Sequence, residues 1–309
     1  MEQTAIWQGP AALEQLAEIY QQLYLAPGEA GEEAYPDIVR RGQPAPVKTL
    51  AHFHRTTEDR SWMEPTPAGE IRVLTLADRQ DFETFLQIMV GHCKMIAIPR
   101  TQGAAILDGV INHGRIEAHM DAFVQAAKDA GQPEPGLAEW AEERGRFISD
   151  KRNYLDALIV LSVGPYSHVP AEKTGFPEET WLAHSQVIRQ FHECTHFVCR
   201  RLYMEKKDAI WDELVADAVG ILAALRRVDI PLAETVLGIT DGRYTGGRLE
   251  NYVEESLPDR AERIAALAAR IHPVLEQIEQ LSRSIPIASP YDLAIALEER
   301  KETLWETGF

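Results

Sequence analysis

His192-Glu193-Cys194-Thr195-His196 sets two imidazoles four positions apart, with a carboxylate next to the first. The run lies within Pro177 to Tyr203, a segment whose pattern predicts one long helix. On a helix, residues i and i+4 are about 40° apart and one turn along the axis, so both rings can reach one metal ion. Glu193 is turned by about 100° and can stand beside that ion, where a water would sit. Zinc suits the arrangement, because it accepts imidazole nitrogen and in catalytic sites keeps one position open. A third protein ligand has to come from elsewhere. Asp212-Glu213-Leu214-Val215-Ala216-Asp217 offers one. Glu213 and Asp217 are again four apart, on a second predicted helix, and either could reach the ion. The pair completes a His/His/carboxylate site and leaves a spare acid to orient a ligand. Both acids sit among Ala209, Ile210, Trp211, Leu214, Val215 and Ala216, an apolar setting that predicts burial. Buried carboxylates need partners such as a metal or a histidine.

The combination of H-E-x-x-H with a following E-x-x-x-D resembles the zincin metallopeptidases, and within them the gluzincin branch. The local form, H-E-C-T-H then D-E-L-V-A-D, is also similar to an uncharacterised bacterial zincin-like family. The likeness covers Leu158 to Leu225. It implies that His192 and His196 are ligands of one Zn2+ per chain, that Glu213 is the third ligand, that Glu193 is the general base and that Asp217 supports His192. It further implies a peptide or protein substrate whose backbone pairs with a strand just before the motif helix, here Leu158 to Ser167, by addition to an open edge. An oxyanion stabiliser is expected as well. Tyr244, Arg248 and Tyr252 are candidates by chain position.

Other chemistries fit less well. Di-iron bundles use two E-x-x-H motifs; Glu193-x-x-His196 is one, and no other histidine in the chain has Glu three residues before it. A purely structural zinc site is normally closed by four protein ligands, whereas this chain offers three and an acid placed as a base. The rival expectation is a zinc protein that hydrolyses a non-peptide amide or serves a non-catalytic binding role. His52 and His54 form an H-x-H pair that would diverge on a helix and share a face on a strand; the spacing alone does not make them ligands. Cys194 is turned off the ligand face and acts as a small apolar filler.

The whole chain sets limits on these readings. Its 309 residues suffice for one large domain or two lobes. A hydrophobic content of 45% with 26% charged residues is that of a globular chain. The net charge of −17 argues against nucleic acid or an anionic membrane surface as partner. Three cysteines, Cys93, Cys194 and Cys199, without paired spacing suggest reduced thiols and a cytoplasmic location. The pattern predicts a mostly helical α+β fold. A small N-terminal sheet with helices occupies residues 1–176 and ends in the edge strand Leu158 to Val163. A helical lobe follows over residues 177–309, and the metal cleft lies between the two. Ile71 to Leu76 and Lys94 to Ile98 are the other expected strands. Expected helices run from Ala11 to Leu25, Val47 to Thr56, Arg79 to Gly91, Thr101 to Asn112, Ile116 to Ala130, Glu139 to Asp150, Leu249 to Glu255, Asp259 to Ser284 and Tyr291 to Thr303. Residues 27–48, 61–69 and 239–247, rich in Gly, Pro and charge, are expected loops.

Overall fold

A computed structural model of the chain describes residues 6–203 and 208–305. The chain divides into two compact units: Met1–Met63, Arg72–Pro99 and Ile106–Ser162 form the first, and Glu64–Ile71, Arg100–Ala105 and Val163–Phe309 the second. The fold class is mixed α/β, mostly helical, with a small sheet. Among the described residues no helix is long and apolar enough to cross a membrane.

The first unit begins with β1 (Trp7–Gln8), α1 (Ala11–Ile19) and α2 (Glu29–Val39). Next come β2 (Arg60–Thr66), β3 (Gly69–Leu76), α3 (Arg79–Met89), β4 (Ala104–Ile111), α4 (His113–Asp129), α5 (Leu137–Ser149) and β5 (Leu155–Ser162), the parts of β2, β3 and β4 within Glu64–Ile71 and Arg100–Ala105 counting with the second unit. The strands form one sheet in the order β1-β2-β3-β5-β4. β3 and β5 run parallel, with Val73 opposite Ile159 and Leu74 opposite Val160, all fully buried. This is the continuous apolar pattern of parallel strands covered on both faces. α3 starts where the Asp78 side chain accepts from the backbone N–H groups of Gln80 and Asp81, an N-cap that satisfies two otherwise orphaned donors.

The second unit is built on α6 (Glu178–Leu202) and α7 (Ala209–Leu225), its principal helix pair. Glu178 and Glu179 in the first turn of α6 and Arg200 and Arg201 in its last turn complement the helix dipole. Asp208 caps α7 by accepting from Ile210 N and Trp211 N. Then follow α8 (Ile230–Leu237), a hairpin of β6 (Ile239–Thr240) and β7 (Arg243–Tyr244), a 3-10 turn at Arg248–Tyr252, α9 (Arg260–Ser284), α10 (Tyr291–Glu298) and α11 (Lys301–Leu304). Gly238 and Gly247 touch backbone to backbone: a β-carbon on Gly247 would lie 2.7 Å from Gly238 Cα. That close approach holds the base of the hairpin shut and fixes where Arg248 begins.

Several expectations are corrected. β5 lies between β3 and β4, so it is an interior strand with neither edge open, and the strand at that edge of the sheet is β4. The chain passes to the helical unit at residue 163 rather than 177. Hydrogen bonds from Tyr166 N to Ser185 Oγ (2.9 Å) and from Trp181 Nε1 to Val169 O (2.7 Å) tie the intervening loop to α6. The expected helix at Thr101 to Asn112 is strand β4, and the expected strand at Lys94 to Ile98 is irregular, as is Val47 to Thr56. Residues 27–48 contain α2, residues 61–69 contain most of β2, residues 239–247 contain the small hairpin, and the helix expected at Leu249 to Glu255 is the 3-10 turn.

Candidate metal centre

Every member of the centre belongs to the second unit. His192 and His196 lie on one face of α6, with their Nε2 atoms 3.1 Å apart. Glu213 comes from α7; its Oε2 is 3.5 Å from His192 Nε2 and its Oε1 is 3.4 Å from His196 Nε2. Zinc bonds of 2.0–2.1 Å in a tetrahedron put donor atoms about 3.3–3.4 Å apart; the pairs here stand at 3.1, 3.4 and 3.5 Å, with one Glu213 oxygen turned to each imidazole. The charge also suits a divalent cation. Glu193, Glu213 and Asp217 bring three carboxylates, and Arg248 is the cation that ion-pairs with two of them.

Behind the ligand face, His192 Nδ1 is 3.0 Å from Asp217 Oδ1, the contact expected of a carboxylate that orients a ligand. Arg248 pairs with Asp217 through Nη2 and approaches Glu213 Oε2 at 3.4 Å through Nη1. Burial opposes ionisation of Asp217, yet Arg248 and His192 hold its carboxyl below the usual range. Burial likewise opposes ionisation of Glu213, and His196, His192 and Arg248 override it and hold that carboxyl well below its ordinary value. Burial pushes His192 down, but the hydrogen bond to Asp217 and the charges of Glu213 and Asp217 outweigh it, so its net shift is upward. Both acids are therefore ready acceptors.

Glu193 is half-buried and its side chain makes no hydrogen bond or ion pair to a described residue. It is the one carboxylate of the group left unspent.

The three oxyanion candidates fare differently. Tyr252 is brought near the centre, where burial and the Glu213 and Asp217 carboxylates push its phenol up while Arg248 opposes them. Arg248 is brought there too, but its guanidinium is spent on Asp217 and Glu213. Tyr244 is not: its exposed hydroxyl lies 3.0 Å from Gly247 O and 2.9 Å from Glu250 Oε2.

One member of the centre is not among the residues singled out from the sequence. Tyr166, fully enclosed in the turn between β5 and α6, places its hydroxyl 2.8 Å from His192 Nδ1 and 2.6 Å from Asp217 Oδ1. Nothing in its spacing marks it, because the loop path rather than a helical period brings it there.

A second gathering of ligand-type side chains, His54, Asp78 and Asp81, lies in the first unit. Its oxygens are already committed. Asp81 accepts from the backbone N–H groups of His54 and Arg55, and Asp78 caps α3 while accepting from His54 Nδ1 at 2.7 Å. These bonds lock a loop and start a helix, while His52 turns away to Leu23 O. Three further histidines are occupied elsewhere: His113 on Val39 O, His119 on Glu143 and His184 edge-on to Phe176. Cys194 is buried, and its burial pushes the thiol up out of the reactive range.

Residues 7–292 match a family described as of unknown function, DUF7005. No curated protein and no solved structure matches the chain.

Proposed function

We propose that this chain, which belongs to that family of unknown function, is a zinc-dependent hydrolase of zincin type that cleaves peptide bonds. The observation that carries the reading is the joint geometry of His192, His196 and Glu213, whose ligand atoms converge within reach of one ion, beside the unspent carboxylate of Glu193. His192 and His196 through Nε2 and Glu213 through a carboxylate oxygen would hold one zinc ion per chain. Zinc in such a set supplies Lewis-acid polarisation of a carbonyl and makes water more acidic. Glu193 accepts a proton from the attacking water at its carboxylate and returns it to the leaving amine, so one residue serves as base and then as acid. Asp217 accepts from His192 Nδ1–H, which keeps Nε2 free of a proton and turned to the ligand face. Tyr252, already beside Glu213, is the better placed of the three oxyanion candidates.

Glu193→Gln separates catalysis from metal binding. The amide matches the carboxylate in size and cannot act as a base, so the variant should keep zinc and fold while losing about 10²- to 10⁴-fold in turnover. The assay is a broad peptide library at neutral pH with zinc content measured in parallel. Cleavage that survives both Glu193→Gln and chelation defeats the mechanism. Zinc binding with no cleavage of any peptide favours the alternative of a metal protein acting on a different amide or on none.

A further inference from the structure

We infer that Tyr166 is a positioning residue of the metal centre: its phenol fixes the tautomer and ring orientation of His192, and the turn at Gly164–His168 is shaped to deliver it. The inference rests on the metal site proposed above and adds a residue to it.

The argument starts from protons. Tyr166 has one hydroxyl proton and Asp217, as a carboxylate, has none to give. The 2.6 Å contact therefore runs from the Tyr166 hydroxyl to Asp217 Oδ1. Having donated, the phenol oxygen can only accept. It faces His192 Nδ1 at 2.8 Å and Arg248 Nη1 at 3.4 Å. The bond to His192 is thus Nδ1–H to oxygen, shared with Asp217 Oδ1 at 3.0 Å. A proton on Nδ1 leaves the Nε2 lone pair of neutral imidazole pointing at His196 and Glu213. Asp217 alone would hold the Nδ1–H by a single contact about which the ring can swing. Tyr166 supplies a second acceptor, and its ring stands edge-on to the imidazole at 61°, centroids 5.8 Å apart.

The turn that carries Tyr166 is strained. Ser167 and His168 follow it with φ of 51° and 56°, two consecutive left-handed residues of which neither is glycine. Conformations of this kind persist where surrounding contacts over-determine them, and they gather at functional sites. Here the contacts come from one stripe of α6. Trp181 donates to Val169 O, Ser185 accepts from Tyr166 N, and Arg189 donates to Gly164 O and Pro165 O. Trp181, Ser185, Arg189, His192 and His196 succeed one another at helical spacing. Three of them grip the turn and the next two are the proposed ligands. The same helix face therefore sets the position of the phenol relative to the ring it braces.

The test compares full-length wild type, Tyr166→Phe and Tyr24→Phe by zinc titration against a competing chelator, together with the visible spectrum of each protein at saturating cobalt(II). Tyr166→Phe removes only the hydroxyl. Zinc affinity should fall by about 10- to 100-fold, the usual cost of losing a residue that orients a metal ligand, and the cobalt spectrum should change. Tyr24→Phe removes a phenol hydroxyl bonded to Glu18 in the first unit, away from the centre, so affinity and spectrum should stay those of wild type. A role in packing alone would lower the melting temperature of metal-free Tyr166→Phe without altering the cobalt spectrum. Equal zinc affinity and an identical spectrum in wild type and Tyr166→Phe overturn the inference and leave the metal site standing. If Tyr166→Phe folds only with metal bound, the spectrum at saturation still decides. Wild type that takes up no zinc overturns both.

Discussion

Replacing Gly220 with alanine probes how far the centre depends on the close approach of α6 and α7. A β-carbon at Gly220 would lie 2.6 Å from Ile188 O, 3.1 Å from Ile188 Cγ2 and 3.2 Å from Ile188 Cα. The nearest of these is a backbone carbonyl within α6, so no side-chain rotation relieves the clash. Moving it from 2.6 Å to the 3.4 Å of ordinary contact requires the helices to part by roughly 0.8 Å. Overpacking of this kind costs about 1–3 kcal/mol, and alanine recovers about 1 kcal/mol of helix propensity, so net stability should drop by about 0–2 kcal/mol. The larger effect falls on the metal. Asp217 lies about 4.5 Å from Gly220 along the axis and Glu213 about 10.5 Å, so a parting centred on Gly220 opens the 3.0 Å His192–Asp217 contact first. Donor positions in metal sites tolerate shifts of about 0.2 Å; zinc affinity should therefore fall by about 10-fold or more. Gly145 in α5 is the control, since a β-carbon there meets nothing within 4 Å; Gly145→Ala should gain up to about 1 kcal/mol and leave zinc binding alone. Urea melts and chelator-competition titrations read both quantities. If Gly220→Ala gains stability as Gly145→Ala does and binds zinc like wild type, the helix contact does not set the site.

Two further outcomes follow from other contacts. Glu213→Ala should lower zinc affinity more than Asp217→Ala, whose loss as an orienting residue costs about 10- to 100-fold; the reverse order in a zinc titration would exchange the two roles. His272 carries a pH effect. Its Nδ1 bonds the buried Glu234, which also accepts from Asp241 N and Gly242 N at the tip of the β6–β7 hairpin. That hydrogen bond raises the His272 value above the ordinary 6.5. The stability it lends is present in full below about pH 6.5 and fades as pH rises through the raised folded value. With the ring 36% exposed, screening keeps this to a fraction of about 1 kcal/mol. Urea midpoints of wild type at pH 5.5 and 8.5 should differ by more than those of His272→Gln, and equal differences would refute the link.

The elements that were legible in the sequence are those whose local signals agree. α6 and α7 combine long helical periodicity with charged or capped ends, and β3 and β5 are short apolar runs bounded by turn residues. β4 was misread because Ala104-Ala105-Ile106-Leu107 is as good a helix as a strand. Pairing beside β5 decides it, and pairing is not local. Residues 61–69 looked like a linker because of Pro65 and Pro67. Yet β1 is two residues long and pairs only with Arg60 and Ser61, so Pro65 sits on a stretch of β2 where β1 makes no ladder demand. In α2, Gly31 and Pro36 concealed a helix; Pro36 lies inside it and gives up the N–H that would bond Glu32 O, a local cost that the sequence pattern reads as a break.

The candidate site divides the same way. Each candidate pair, His192 with His196 and Glu213 with Asp217, is encoded by the i, i+4 period of its own helix, and that much can be read without the fold. The order of roles within Glu213 and Asp217 is not encoded, because either acid satisfies the period; the crossing of α7 on α6 turns Glu213 to Nε2 and Asp217 to Nδ1. Tyr166 is a further step removed. Its role needs a left-handed backbone at Ser167 and His168, and neither residue type announces one. Even so, α6 holds a partial trace. A helix stripe of Trp181, Ser185 and Arg189 running into two histidines puts a hydroxyl and a guanidinium where an apolar core face would be expected. Buried groups of that kind require partners, and the segment just before the helix is the nearest supply of backbone carbonyls. The polar stripe thus predicts that the preceding loop folds back along α6, which is the path that delivers the phenol.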